Sequence, residues 1–271
     1  MCAKILLFFT LLFLYSCAVI EKSAANEPSV ELQIVADVRR METEIAHLFG
    51  YAKWPFAPTE VKYGANCRVA ASYSYGDTIQ LSCDTLKYRQ GKPFQKKNVF
   101  GETETFPGYV EYLDTITHEI AHIFFRSFID PKDPPWKKCD IDEYYELSEG
   151  FATYVAYEIL FRESRKTNDP EYERYLAART ARYLIQLNVS DKRLDRSSSD
   201  FPFTKAFSPE SKRYIDSALA RFSEKKSLVL KDEDAFVDLY YPAGLVRVYA
   251  LKHIFTKKGF EGGIIKKYFC R

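Results

Sequence analysis

The chain has no surplus of charge. Lysine and arginine total 39, aspartate and glutamate 37, a net of +2, and no block of basic residues stands out. Nucleic acid is therefore not expected as a main partner, because phosphate binding needs clustered positive charge. Beyond the N-terminus no apolar run is long enough to cross a bilayer as a helix of about 20 residues. Internal repeats and low-complexity tracts are absent as well. What remains is ordinary for a globular protein: 271 residues, 46% of them hydrophobic, enough for one domain and a sizeable core. Aromatics are plentiful, with 20 tyrosines and 21 phenylalanines, which points to an aromatic core with tyrosine hydroxyls at its edge.

The N-terminus reads as a targeting segment. Lys4 precedes an apolar run over residues 5–15, too short for a membrane span and suited to a signal. At its end Leu14-Tyr15-Ser16-Cys17 resembles the lipobox of bacterial lipoproteins, which implies that Cys17 is the lipid-bearing first residue of the mature chain. Residues 1–17 are then the signal, 18–27 a polar tether, and 28–271 a single domain. The rival is cleavage after Ser23-Ala24-Ala25, giving a soluble secreted protein. Both export the chain: to the bacterial cell envelope, lipid-anchored, or outside the cell.

Export gives the cysteines meaning. Cys67, Cys83, Cys139 and Cys270 form an even set in an oxidising compartment. Tyr75-Gly76-Asp77 reads as a hairpin turn between apolar runs at 68–73 and 78–82. A three-residue loop over 74–76 would pair 73 with 77, and so Cys67 with Cys83, leaving Cys139 with Cys270. Four buried free thiols are the alternative.

Helical spacing of apolar residues, among them Val30, Ile34, Val35, Val38, Met41 and Ile45, predicts a helix over 28–49, framed by Pro28 and Gly50. His47 falls on its surface or core edge. Strands are expected over 61–83, and a polar surface loop over 87–105. A helix over 107–128 follows, then a proline-rich linker over 130–140 and a helix over 143–163. Asn168-Asp169-Pro170 announces another, to about 187. Further helices are expected over 209–222 and 234–255, the last broken locally at Pro242. The fold class is α+β and mostly helical.

His118-Glu119-Ile120-Ala121-His122 lies on the helix expected over 107–128. Residues four apart share a helix face, so His118 and His122 can reach one ion. Glu119 can reach a water on that ion. Apolar neighbours such as Ile116, Ile120 and Phe124 bury the motif, and two unpartnered buried imidazoles would be unfavourable unless a metal engaged them.

Downstream, Glu149-Gly150-Phe151-Ala152-Thr153-Tyr154 resembles the third-ligand helix of the gluzincin metallopeptidases, in the form carried by the aminopeptidase-N-like family. The resemblance makes Glu149 the third ligand of one Zn2+ per chain, in preference to Glu146 a turn earlier. Gly150 and Ala152 lack bulk and would let this helix approach the histidine helix, and Thr153 would steady a ligand histidine. Tyr241-Pro242-Ala243-Gly244 resembles the segment that supplies the family's transition-state tyrosine; Tyr240 beside it is the competing donor. Arg247 would meet a substrate carboxylate or pair with an acidic neighbour, the second by preference. The expected fold is zincin-like, with a small antiparallel or mixed sheet edging a cleft, and the strand at 77–82 would pair with an extended peptide.

The likeness covers three short segments in matching order, not the whole chain. The spacer between His122 and Glu149 holds 26 residues, longer than the aminopeptidase pattern, and the segment that recognises a free amino terminus has no counterpart. Aminopeptidase specificity is therefore not carried over. The resemblance implies an exported zinc peptidase, endopeptidase by preference, acting on a peptide or protein substrate. Glu119 would be the general base for a zinc-bound water and Tyr241 the oxyanion donor. The alternatives are a zinc hydrolase of a non-peptide substrate and a non-catalytic surface lipoprotein with a structural zinc.

Overall fold

The computed structural model describes residues 29–63, 72–128, 141–190, 201–224 and 240–265. They fall into two units, up to Asp37 and from Val38 onward, a division that lies inside the first helix. That helix, α1 (Val30–Leu48), turns Val38, Met41 and Ile45 fully inward. Val30 and Val35, counted with the apolar face in the sequence, are exposed. Gly50 ends the helix with φ 84°, while the Gly50 and Tyr51 N–H groups donate to the carbonyls of His47 and Ala46. This is a Schellman closure, which needs a left-handed residue after the helix.

Three short strands follow: β1 (Glu60–Tyr63), β2 (Tyr73–Tyr75) and β3 (Thr78–Leu81). β3 is the middle strand, parallel to β1 and antiparallel to β2. It is bonded on both sides, so the expected pairing of a peptide with this strand is not available. The hairpin register also differs. Tyr75 faces Thr78 and Tyr73 faces Gln80, because Gly76 adopts φ 58° and lets two residues close the turn. The register argument that joined Cys67 to Cys83 therefore does not hold. Cys83 is disulfide-bonded, and its partner lies outside the described residues, as Cys17, Cys67, Cys139 and Cys270 all do. Cys83 opens α2 (Cys83–Arg89), where the Ser82 side chain caps the Thr85 N–H.

The polar stretch expected as loop contains α2 and a second hairpin, β4 (Phe94–Lys97) with β5 (Thr103–Phe106). Phe94 faces Phe106 at its base and Lys96 faces Glu104 further out. Such short strands, polar on their exposed side, have too little alternation to read as strands.

Four long helices carry the rest: α3 (Gly108–Phe128), α4 (Ile141–Thr167), α5 (Pro170–Ser190) and α6 (Pro209–Glu224). A 3-10 turn, Pro202–Ala206, precedes α6. Asp169 accepts from the Glu171 N–H, so Asp169 is the cap of α5 with Pro170 at its first position. α7 (Tyr240–Leu251) runs through Pro242 without interruption; residues 234–239 of the helix expected over 234–255 lie outside the described residues. The helix stops at Leu251, before the expected 255, and α8 (Lys257–Glu261) follows under a Thr256 cap.

α4 is central, with α3, α5 and α7 against it. Gly150 and Gly244 meet where α4 crosses α7. A Cβ on Gly150 would stand 2.0 Å from the Gly244 carbonyl carbon, and one on Gly244 would stand 1.8 Å from the Glu146 oxygen. The small residue at 150 thus serves contact with α7, whereas the sequence pointed to the histidine helix. Phe124 of α3 stacks on Phe49 (5.1 Å) and Phe151 of α4 on Phe125 (4.8 Å). Not every tyrosine sits at the core edge: Tyr157 is fully buried, with its hydroxyl 3.1 Å from Thr180 Oγ1. No helix among the described residues is long and apolar enough to cross a membrane. The described chain is mostly helical with two small sheets, in keeping with an α+β class.

Candidate metal centre

The apolar side of α3, with Ile116, Ile120 and Phe124 fully buried, fixes the helix in the core. Its neighbouring face then aims His118 and His122 at α4. The Nε2 atoms of the two histidines stand 3.1 Å apart. Glu149 Oε2 lies 3.1 Å from His118 Nε2 and 3.4 Å from His122 Nε2. Three lone-pair atoms on two helices converge, and the group could hold a metal ion. Glu146, the competitor, is turned away to Arg247, 3.7 Å off. Arg247 also pairs with Glu143, so it meets acidic neighbours as expected.

Charge at the centre is coupled. Burial pushes the Glu149 carboxyl upward, but His122 and His118 prevail and hold it well below the usual carboxylate range. Burial pushes His118 down, and the hydrogen bond and charge of Glu149, aided by Glu119, raise it above the ordinary 6.5. Arg126 stands one turn beyond His122, its guanidinium tied to the Ser74 carbonyl at 3.0 Å. It feels the fields of both Glu119 and Glu149.

His122 Nδ1 lies 3.0 Å from Ser148 Oγ, and Ser148 also bonds Tyr144. A partner on the outer nitrogen fixes the ring and its tautomer. The sequence reading assigned such a role to Thr153. Thr153 is fully buried, and its hydroxyl has no partner among the described residues. Ser148 went unnoticed, although as the residue before Glu149 it shares the face of α4 that meets α3.

Glu119 is buried and, with His118 and Tyr241, lines a cavity of about 490 Å³. The Tyr241 ring lies 5.7 Å from the His118 ring. Tyr240 points elsewhere, its hydroxyl 2.9 Å from Asp142. The structure therefore brings Tyr241, of the two tyrosines, to the site. His47 is exposed on α1.

From His118 the cavity extends beneath the β4–β5 hairpin toward a buried network absent from the sequence reading. Tyr175 of α5 lies 2.7 Å from Glu111 Oε2 and 2.8 Å from Asp114 Oδ2. Arg179, also of α5, forms a short ion pair with Asp114. Burial, then the charge of Asp114, raises the Glu111 carboxyl. Glu111, Asp114 and His118 follow one another at helical spacing, which is the signal that could have marked them. No protein-family model, curated protein or solved structure matches this chain.

Proposed function

We propose that the chain is an exported zinc-dependent peptidase, an endopeptidase by preference, with a zincin-like arrangement of the gluzincin type. The observation that carries this reading is the convergence of His118 Nε2, His122 Nε2 and Glu149 Oε2 at 3.1–3.4 Å, beside a cavity that Glu119 and Tyr241 also line. Ligand atoms about 2.0–2.1 Å from a tetrahedral zinc are separated by roughly 3.3–3.4 Å, so the observed spacing fits that ion with little movement. Two imidazoles and one carboxylate suit zinc far better than calcium or magnesium, which take oxygen ligands. Three protein ligands next to a cavity also fit a catalytic centre better than a structural one, which is closed by four.

When bound, zinc supplies a Lewis acid and lowers the pKa of water to about 7. Glu119 takes the proton of the attacking water and delivers it to the leaving amine. Tyr241 donates its phenolic hydrogen to the developing oxyanion. Ser148 keeps His122 in register, and the β4–β5 hairpin roofs the space for the substrate. A lipid on Cys17 would hold the enzyme at the cell envelope, with no role for nucleic acid.

The test is Glu119→Gln in the purified protein, screened against a peptide library. Zinc content should stay at the wild-type level while hydrolysis falls at least ~10²-fold, the usual contribution of a general base. An equally active variant would refute the role of Glu119. Zinc uptake without cleavage of any peptide by the wild type would favour a non-peptide substrate.

A further inference from the structure

His118 and Asp114 share a peculiarity. The outer ring nitrogen of His118, Nδ1, is buried and has no hydrogen-bond partner among the described residues. So is Asp114 Oδ1, although Oδ2 of the same carboxylate engages Tyr175 and Arg179. A buried polar atom without a partner is unfavourable and uncommon. One of these atoms is an acceptor, the other can be a donor, and they belong to residues one turn apart on α3. Both atoms are closed to solvent, so a substrate in the cavity cannot serve either of them. Arg179, which grips Asp114, is also within electrostatic reach of His118.

His118 directs Nε2 to Glu149. An ion on Nε2 would take that lone pair and leave the neutral ring its only N–H on Nδ1. We propose that Asp114 is the positioning residue for His118, accepting the Nδ1–H through Oδ1 when the centre is loaded. This rests on the metal reading above. Arg179 and Tyr175 then have a purpose: they hold Oδ2 and leave Oδ1 for the imidazole. Histidines that ligate metals commonly donate their second N–H to a carboxylate, which is worth 10–100-fold in affinity. Thr153 Oγ1, on the adjoining helix, is another buried acceptor without a partner among the described residues, and the experiment separates the two.

Zinc affinity is measured by chelator competition on the full chain as wild type, Asp114→Ala, Asp114→Asn, Tyr175→Phe and Thr153→Val. The ring N–H resonances of the zinc-loaded, 15N-histidine-labelled proteins are recorded alongside. Asp114→Ala should weaken zinc binding 10–100-fold and remove or shift the His118 Nδ1–H signal. Asp114→Asn, whose amide oxygen can still accept, should recover part of both. Tyr175→Phe removes one of the two groups that hold Oδ2 and should weaken zinc binding and shift the signal less than Asp114→Ala does. If Asp114→Ala does not fold, a displaced His118 signal in Asp114→Asn carries the result. Wild-type affinity and an unmoved signal in the Asp114 variants would overturn the proposal, as would loss of the signal in Thr153→Val alone. Failure of the wild type to bind zinc would overturn the metal reading, and this proposal with it.

Discussion

Tyr240 and Tyr241 are neighbours in sequence with separate partners, one on Asp142 and one over the His118 ring. Tyr241→Phe keeps the ring and deletes the hydroxyl. It should lower kcat by about 10²-fold or more with little change in KM, as loss of an oxyanion donor does. Tyr240→Phe should be close to neutral in the same peptide assay. The centre also has a pH signature. The Glu149 carboxyl is depressed below its ordinary 4.5, so in the metal-free protein its stabilising contribution is present above that value and is lost as pH falls. His118 is raised above 6.5, so its contribution is present below that value and is lost as pH rises through the folded value. The pair therefore supports the metal-free fold best between about pH 4.5 and 6.5. Zinc binds the neutral form of imidazole, so zinc affinity should rise with pH and binding should release protons. Calorimetry in buffers of different ionisation enthalpy, with melting curves across pH, checks both statements.

At the scale of elements, the crossing of α4 and α7 sets the distance between Glu149 and Tyr241. Gly150 stands next to Glu149, and Gly244 is three residues past Tyr241. Backbone meets backbone there, so a methyl group at either glycine has no flexible side chain to displace. Gly150→Ala and Gly244→Ala should each destabilise by about 1–3 kcal/mol or more, the range for overpacked sites. Where the variant still folds, kcat should drop because α7 is pushed off. Thermal melts and zinc content distinguish this from loss of ligation. The elements themselves were legible where a physical signal was strong. Apolar spacing and terminal proline or glycine gave α1, α3, α5 and α6 to within a few residues. The β4–β5 hairpin was not legible, because its exposed strands are polar and short. The turn at Gly76 was visible, but its two-residue closure depends on a positive φ that composition does not reveal.

For the whole molecule, the candidate site was legible in part, and the reason is geometric. His118, His122 and Glu149 come from two helices separated by a long spacer, and only their likeness to a known pattern joined them. Local spacing alone gave the two histidines. The partners Ser148 and Asp114, by contrast, needed the packing of α4 and α5 on α3 before their roles could be read. Export is tested at this scale as well. Cys17→Ser should move the protein from the membrane to the soluble fraction of the host envelope. A distribution unchanged from wild type would argue for ordinary signal cleavage. The central claim is that these three side chains hold one zinc ion, and elemental analysis of the purified wild type beside Glu149→Ala tests it most directly. About one zinc per chain in the wild type, falling sharply in the variant, is the expected result. A folded wild type without zinc, even after incubation with it, would contradict the account.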